Sequence, residues 1–292
     1  MIDLCVGGKT KVLGLIGDPV EHTFSPLIQN SIAKKTKEDI LYLPFHVRKE
    51  GLEYAVKGAY ELGVKGLNVT VPHKKAVLDY LCGIDKKARA IGAVNTLKYT
   101  KDGYYGYNTD VLGIKSTFEN NSISLKGKKV LIIGAGGSAC SSLVLACESE
   151  AEKIIIANRT VENALKLIEH VKGFYDFNAE AISIDNIDNI KDLDIVIQNT
   201  TVGFGDKVKL SPVSSDFFKK RNIEAALDVI YTPWKTAFLK LAEGNCTALN
   251  GFDMLFYQAA AAREIWLDKQ YDIKMKLELK KEIGEYMKNS LL

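Results

Sequence analysis

Lys129-Val130-Leu131-Ile132-Ile133-Gly134-Ala135-Gly136-Gly137-Ser138-Ala139-Cys140 is the stretch from which the fold can be read. Two lysines lead into four consecutive apolar residues, three of them β-branched, which is the pattern of a short strand buried on both faces. The run breaks into Gly134-x-Gly136-x-x-Ala139, after which apolar residues recur at helical spacing at Ala139, Leu143, Ala146 and Cys147. Strand, glycine turn and helix together give this motif its meaning. Gly134 permits the tight turn, Gly136 lets the backbone approach a pyrophosphate, and a small residue at Ala139 lets helix and strand pack closely. The phosphates then meet the N–H groups at the helix start. The plain alternative is a tight βα turn in a doubly wound sheet.

Downstream, Lys153 to Ala157 reads as the second strand of a nucleotide domain and ends at Asn158-Arg159-Thr160. NAD-binding domains place an acid here for the ribose 2′-hydroxyl. An arginine instead can grip a 2′-phosphate through a charge-assisted pair of bonds, which favours NADP, with NAD as the alternative. A helix over 161–171, strands over 181–184, 194–199 and 225–230, and the polar loop Asn199 to Gly203 continue the βα alternation. Residues 254–267 read as a strong helix. Gln258 lies on its apolar face, where a buried amide needs partners or a ligand. A charged amphipathic helix over 274–287 follows.

Upstream, 10–17 reads as the first strand. It runs into Gly17-Asp18-Pro19-Val20-Glu21-His22-Thr23-Phe24-Ser25-Pro26 and a helix through Leu27, Ile28 and Ile32. Thr23 and Ser25 flank Phe24 and could direct two hydroxyls and helix-start amides at an anion such as a carboxylate. Simple N-capping by Ser25 is the alternative. A strand over 41–47 and a helix over about 51–62 precede Asn68-Val69-Thr70-Val71-Pro72-His73-Lys74. There Asn68 and Thr70 share one strand face. Pro72 ends the strand and a helix is expected to begin near His73, so Lys74 sits at the junction, where one side chain can be held over a pocket. A solvated surface lysine is the alternative. Asn95, preceded by apolar residues, is expected to face inward with partners. Thr100 to Gly103 reads as a hairpin turn, and Asp110 falls just past the second hairpin strand.

A chain of 292 residues, 47% hydrophobic and 26% charged, suggests about two packed domains. A net charge of +3 from scattered basic residues gives no reason to expect a nucleic-acid partner. No apolar run approaches the length of a membrane span. Met1-Ile2-Asp3-Leu4-Cys5 does not read as a secretory signal. Five cysteines without a CxxC pair are expected to be reduced, mostly buried thiols of a cytoplasmic protein. Four histidines, none at i, i+4 spacing, give no metal site to expect.

Seven motifs now stand in order: Gly17-x-Pro19-Val20-x-His22-Thr23-x-Ser25-Pro26, Asn68-Val-Thr70-Val-Pro72-His73-Lys74, Gly92-Ala-Val-Asn95-Thr96, Gly106-x-Asn108-Thr109-Asp110, Gly134-Ala-Gly136-Gly137, Asn158-Arg159-Thr160 and Gly251-x-x-Met254-Leu255-x-x-Gln258-Ala259. Over nearly its whole length the chain resembles the shikimate dehydrogenases of the shikimate/quinate dehydrogenase family. The resemblance implies an α/β fold with two domains. The α/β substrate domain comprises 1–110 and 252–292, and a Rossmann-type, doubly wound parallel sheet is inserted over 111–251. It implies Lys74 and Asp110 as the catalytic pair. It assigns the substrate carboxylate to Thr23 and Ser25, and the ring hydroxyls to Thr70, Asn95, Asp110 and Gln258, with Tyr231 as a further contact. For NADP it implies Gly134, Ala135, Gly136, Gly137, Ser138, Asn158, Arg159 and Thr160, with the Val229 and Gly251 backbone near the nicotinamide. The implied partner is a small molecule, and the implied state is a monomer or homodimer. Two departures stand out. Thr23 occupies a position that is usually serine, and Asn163 stands where a second arginine often grips the 2′-phosphate. Both keep an NAD-dependent quinate/shikimate dehydrogenase as the alternative.

Overall fold

The computed structural model describes residues 6–290. Within it the chain divides into two compact units. One runs up to Thr109 and resumes over Gln258–Glu285; the other spans Asp110–Tyr257 and takes in the chain from Tyr286. The family resemblance divides the chain at 110/111 and 251/252. The contacts place Asp110 with the second unit and put the return crossing inside a helix.

The first unit contains β1 (Lys11–Gly17), α1 (Ser25–Thr36), β2 (Ile40–His46), α2 (Leu52–Glu61), β3 (Gly66–Val69), β4 (Gly83–Ile84), α3 (Lys86–Ile91), β5 (Thr96–Thr100) and β6 (Gly103–Tyr107). Its sheet has the order β2-β1-β3-β5-β6-β4. The sheet is mixed: β1 runs parallel to β2 and β3, whereas β5 is antiparallel to both β3 and β6. The expected hairpin is there, with Thr100 opposite Gly103 and the Thr100 hydroxyl donating to the Gly103 carbonyl at 2.7 Å.

The second unit begins with α4 (Asp110–Glu119) and continues through β7 (Lys129–Ile133), α5 (Gly137–Glu148), β8 (Lys153–Asn158), α6 (Val161–Lys172), β9 (Ala179–Ser183), β10 (Ile195–Gln198), β11 (Ala225–Asp228), α7 (Ala237–Ala242) and β12 (Thr247–Asn250). All of its strand pairs are parallel, in the order β12-β11-β10-β7-β8-β9. Counted from β7, this is the doubly wound dinucleotide-binding order, whose direction reverses between β7 and β10. Ligands of such sheets bind beyond the carboxyl ends of the strands at that reversal, where the glycine loop stands. The apolar runs become core as expected, and Val130 to Ile133 and Ile195 to Ile197 are fully buried. Helices α8 (Gly251–Leu267) and α9 (Ile273–Ser290) close the chain.

Three expectations need correction. No α-helix begins near His73. Strand β3 stops at Val69, Val71 is 68% exposed, and residues 71–75 form turns before a 3-10 helix over Ala76–Tyr80. Pro72 cannot donate to a ladder, and the residue before a proline is disfavoured from helix, so the chain turns instead of coiling. Ser25 is not the N-cap of α1. Phe24 holds that place with no side-chain bond, and the Ser25 N–H donates to the Thr23 hydroxyl at 3.2 Å. Of the four described cysteines, all free thiols, only Cys140 is buried, while Cys82 is exposed and Cys147 and Cys246 are half-buried. Cys5 and the rest of the first five residues lie outside the described residues.

Candidate active site

In the first unit the polar residues of the motifs converge on one buried cluster. Asn95, 3% exposed, is its hub. Its side-chain oxygen accepts the Thr109 N–H at 2.8 Å, the Thr96 hydroxyl at 2.9 Å and the Thr109 hydroxyl at 3.2 Å. With its oxygen engaged by three donors, the Asn95 amide has one fixed orientation. The Thr109 hydroxyl also lies 3.5 Å from Gln258 Oε1, which brings the amide carried by α8 to the same cluster. Trp266, two turns further along α8, anchors this helix by donating from its indole N–H to the Leu97 carbonyl at 2.8 Å.

From Asn95 the cluster extends toward α1. Asn68 donates to the Asn95 carbonyl and to the Thr96 hydroxyl, both at 3.1 Å, and accepts the buried Tyr42 phenol at 2.8 Å. Burial pushes the Tyr42 phenol well above its usual range, and a hydrogen bond with Ser25 pulls the other way. The Ser25 backbone is held by the Thr23 hydroxyl. Thr23 and Ser25 stand at the start of a helix whose first turn carries no acid, a setting that favours an anion. Thr70 is half-buried just past β3, its N–H donating to the Ile16 carbonyl at 3.0 Å.

Lys74 is half-buried in the turn that follows β3. Its carbonyl accepts the Val94 N–H at 2.8 Å, which ties its backbone to the residue before Asn95. His73 beside it is 1% exposed, and its ring donates from Nε2 to the Val47 carbonyl at 2.6 Å. The His73 N–H donates to Thr70 and its carbonyl accepts from Val77. The imidazole thus holds the turn that presents Lys74 rather than reaching a ligand itself.

The second unit carries the other candidates. Asp110 is buried at the start of α4. Gly134 ends β7 with φ +109, a left-handed turn that favours glycine. A Cβ built there would approach the Thr200 methyl at 3.1 Å, so the loop after β10 packs directly on the turn. At Gly136 and Gly137 an added Cβ would meet nothing within 4 Å. Ala135 and Ser138 flank them, half-buried. No side chain caps α5 and its first turn has no acid. Open space over bare backbone, facing helix-start N–H groups, fits a pyrophosphate. At the end of β8, Asn158 donates to the Thr160 carbonyl at 2.8 Å and bends the chain there, leaving Arg159 exposed. No carboxylate occupies this place to repel a 2′-phosphate.

Val229 and Gly251 come together within this unit. A Cβ on Gly251 would lie 2.2 Å from the Val229 carbonyl oxygen, so only glycine fits. Burial raises the pKa of the Tyr231 phenol, two residues beyond Val229. Two further buried groups lie nearby, outside the sequence motifs. Gln198 on β10 accepts the Thr200 N–H at 2.6 Å and donates to the Val202 carbonyl at 2.9 Å, shaping the loop that packs on Gly134. Asp228, fully buried at the end of β11, accepts the Ile230 N–H at 3.0 Å and the Thr236 hydroxyl at 2.6 Å. A single polar residue in an apolar strand was the only signal for either.

With the geometry in place, comparison with known proteins gives a consistent answer. Residues 15–97 match the shikimate dehydrogenase substrate binding domain, and residues 115–203 match shikimate / quinate 5-dehydrogenase. The chain is 39% identical over 268 residues to the shikimate dehydrogenase (NADP(+)) of Caldanaerobacter subterraneus subsp. tengcongensis, covering 91% of this chain and 95% of that protein. A chorismate mutase/shikimate 5-dehydrogenase fusion protein from Clostridium acetobutylicum is similar in structure with a TM-score of 0.88 at 34% identity, over 96% of this chain and 99% of that one. Shikimate 5-dehydrogenase from Listeria monocytogenes, solved in complex with shikimate and NAD, is similar with a TM-score of 0.87 at 30% identity, over 94% of this chain and 98% of that one.

Proposed function

The chain belongs to the shikimate dehydrogenase family, and on that premise we propose that it catalyses the reversible NADPH-dependent reduction of 3-dehydroshikimate to shikimate, on the route to chorismate and the aromatic amino acids. The observation that carries this reading is the lysine turn. Lys74 hangs from a backbone bonded to Val94, next to an Asn95 whose amide is locked in one orientation. That is what proton delivery to a bound ketone needs: a flexible cation on a rigid mount beside a fixed hydrogen-bond donor.

Bound NADPH supplies the hydride. The Lys74 ammonium gives a proton to the ketone oxygen as negative charge builds there, and the neutral amine takes the hydroxyl proton in the reverse direction. Asp110, the second member of the catalytic pair, accepts a hydrogen bond from a ring hydroxyl. Thr23, Ser25 and the start of α1 hold the carboxylate. Thr70, Asn95 and Gln258 bind the ring hydroxyls, with Tyr231 as a further contact. Gly134 to Ser138 cradle the pyrophosphate, and Asn158, Arg159 and Thr160 take the 2′-phosphate. The Val229 and Gly251 backbone borders the nicotinamide. The four free thiols support a cytoplasmic enzyme, and we propose a monomer or homodimer. Among the described residues no helix is long and apolar enough to cross a membrane.

Replacing the lysine tests the reading. Lys74→Ala is expected to lower kcat for shikimate oxidation by about 10²–10⁴-fold with a modest change in KM. A near-normal kcat would remove Lys74 from the chemistry.

A further inference from the structure

The buried carboxylate of Asp228 has no part in the roles assigned above, yet it stands immediately before Val229. It sits at the carboxyl end of β11, in register with Asn250 at the end of β12. The chain between Asp228 and Thr236 forms a loop that carries Val229, Tyr231 and Trp234. Two side chains close that loop from the two strand ends. Asp228 Oδ1 accepts the Ile230 N–H at 3.0 Å and its Oδ2 accepts the Thr236 hydroxyl at 2.6 Å, across the base of the loop. Thr236, itself fully buried, also accepts the Leu239 N–H at 3.2 Å, so the far end of the loop is fixed to α7. From the neighbouring strand, Asn250 donates to the Trp234 carbonyl at 2.6 Å. The Val229 carbonyl is left in van der Waals contact with Gly251, where no Cβ could be inserted.

A carboxylate is a costly group to bury against two neutral donors. The same bonds could be made by a neutral side chain, and burial pushes Asp228 up to about 6. Its strength as an acceptor is what a neutral group would not supply. Buried acids with perturbed pKa values cluster at functional sites.

We propose that Asp228 is a positioning residue for hydride transfer: through Thr236 and the Ile230 N–H it fixes the loop that sets the Val229 backbone and the Tyr231 phenol. This rests on the reading that Val229 borders the nicotinamide and Tyr231 the substrate. The pyrophosphate and 2′-phosphate contacts lie on other loops, at Gly134 to Ser138 and Asn158 to Thr160. Loosening the 229–236 loop therefore leaves cofactor affinity largely intact and misplaces the reacting ring, an error of the kind that costs rate rather than binding.

The test is steady-state kinetics of the full-length enzyme with NADP and shikimate, run with ordinary shikimate and with shikimate deuterated at the oxidised carbon. Thr236→Val removes the hydroxyl at nearly constant volume, and Thr236→Ser restores it. The expected result for Thr236→Val is a kcat lowered about tenfold to a hundredfold, a KM for NADP within about threefold of the unaltered enzyme, and a larger isotope effect on kcat. Thr236→Ser is expected to return all three toward the starting values. If the valine variant does not fold, Thr236→Ala takes its place, since it deletes the hydroxyl without placing an added methyl against the carboxylate. A folded variant with unchanged kcat and isotope effect would overturn the proposal while leaving the functional reading standing. So would a variant that loses rate and cofactor affinity equally, because that marks a general structural role. No turnover by the unaltered enzyme would overturn the functional reading and the proposal together.

Discussion

The two units build their candidate ligand contacts from opposite materials. In the first unit the polar cluster is made of side chains, each committed to a partner. Asn95 accepts from Thr96 and Thr109, Asn68 donates to both Asn95 and Thr96, and Tyr42 donates to Asn68. In the second unit the glycine loop is made of backbone. Gly136 and Gly137 touch nothing that a methyl group would disturb, and no side chain caps the helix behind them. The difference follows from the ligands proposed for each. A small ring bearing several hydroxyls is told from its isomers by the placement of individual donors and acceptors, so the donors must be fixed in advance. A pyrophosphate is a diffuse charge that any row of N–H groups can hold, provided nothing stands in its way. Substrate-side residues should therefore carry stability and binding together, and cofactor-loop residues binding alone.

The largest expected effect outside the lysine turn comes from Asp228, a side-chain device inside the backbone-built unit. Its pKa is raised from 3.8 to about 6 by burial, opposed by the Thr236 hydroxyl and the Ile230 N–H. An acid with a raised folded-state pKa prefers its protonated form in the native state. Stability is therefore lost as pH rises from about 4 through about 6, by about 3 kcal/mol in total, and the curve is flat above that range. Asp228→Asn is expected to abolish that pH dependence and to stabilise the protein at neutral pH. Urea denaturation at about pH 4.5 and about pH 7.5 measures it. A difference between variant and parent that does not grow with pH would show that the carboxylate is not disfavoured in the folded state.

Arg159 comes next. Losing a charge-assisted pair to a phosphate costs about 1.5–3 kcal/mol. Arg159→Gln should raise the KM for NADP by about tenfold to a hundredfold and leave the KM for NAD nearly unchanged. An equal loss for both cofactors would detach Arg159 from the 2′-phosphate. The smallest effects form a matched pair that tests the contrast between the units directly. Asn95→Ala strands the buried Thr109 N–H and Thr96 hydroxyl, and should lower stability by about 1–3 kcal/mol while raising the KM for shikimate. Gly136→Ala adds a methyl in open space at φ −92, and should leave stability within about 0.5 kcal/mol while raising the KM for NADP. If thermal unfolding shows Gly136→Ala to be the more destabilised of the two, the contrast is wrong.

The same difference in materials explains which parts could be read from the sequence. Backbone-built features follow local pattern. The Val130 to Ile133 strand, the turn at Gly134 and the arginine after β8 all sit where spacing alone puts them. Side-chain clusters depend on pairings between distant residues. Nothing in the run around Asn95 shows that Thr109 supplies its partners, because that pairing is set by the β5–β6 hairpin. The junction after Pro72 singles out Lys74, and only the motif resemblance gives it a catalytic role. The helix expected near His73 was wrong because the apolar spacing after Pro72 is met by turns and a short 3-10 helix. In the sequence Asp228 is one residue of an apolar strand run over 225–230. Its acceptor role appears only when the loop to Thr236 closes on it.

The most direct test of an NADP-dependent shikimate dehydrogenase is steady-state oxidation of shikimate and of quinate, each with NADP and with NAD, by the purified protein. Turnover concentrated on shikimate with NADP is the expected result, with Arg159 sufficient for the 2′-phosphate despite Asn163. Comparable or faster oxidation of quinate with NAD would contradict it, and would make Thr23 and Asn163 the residues that define a catabolic enzyme.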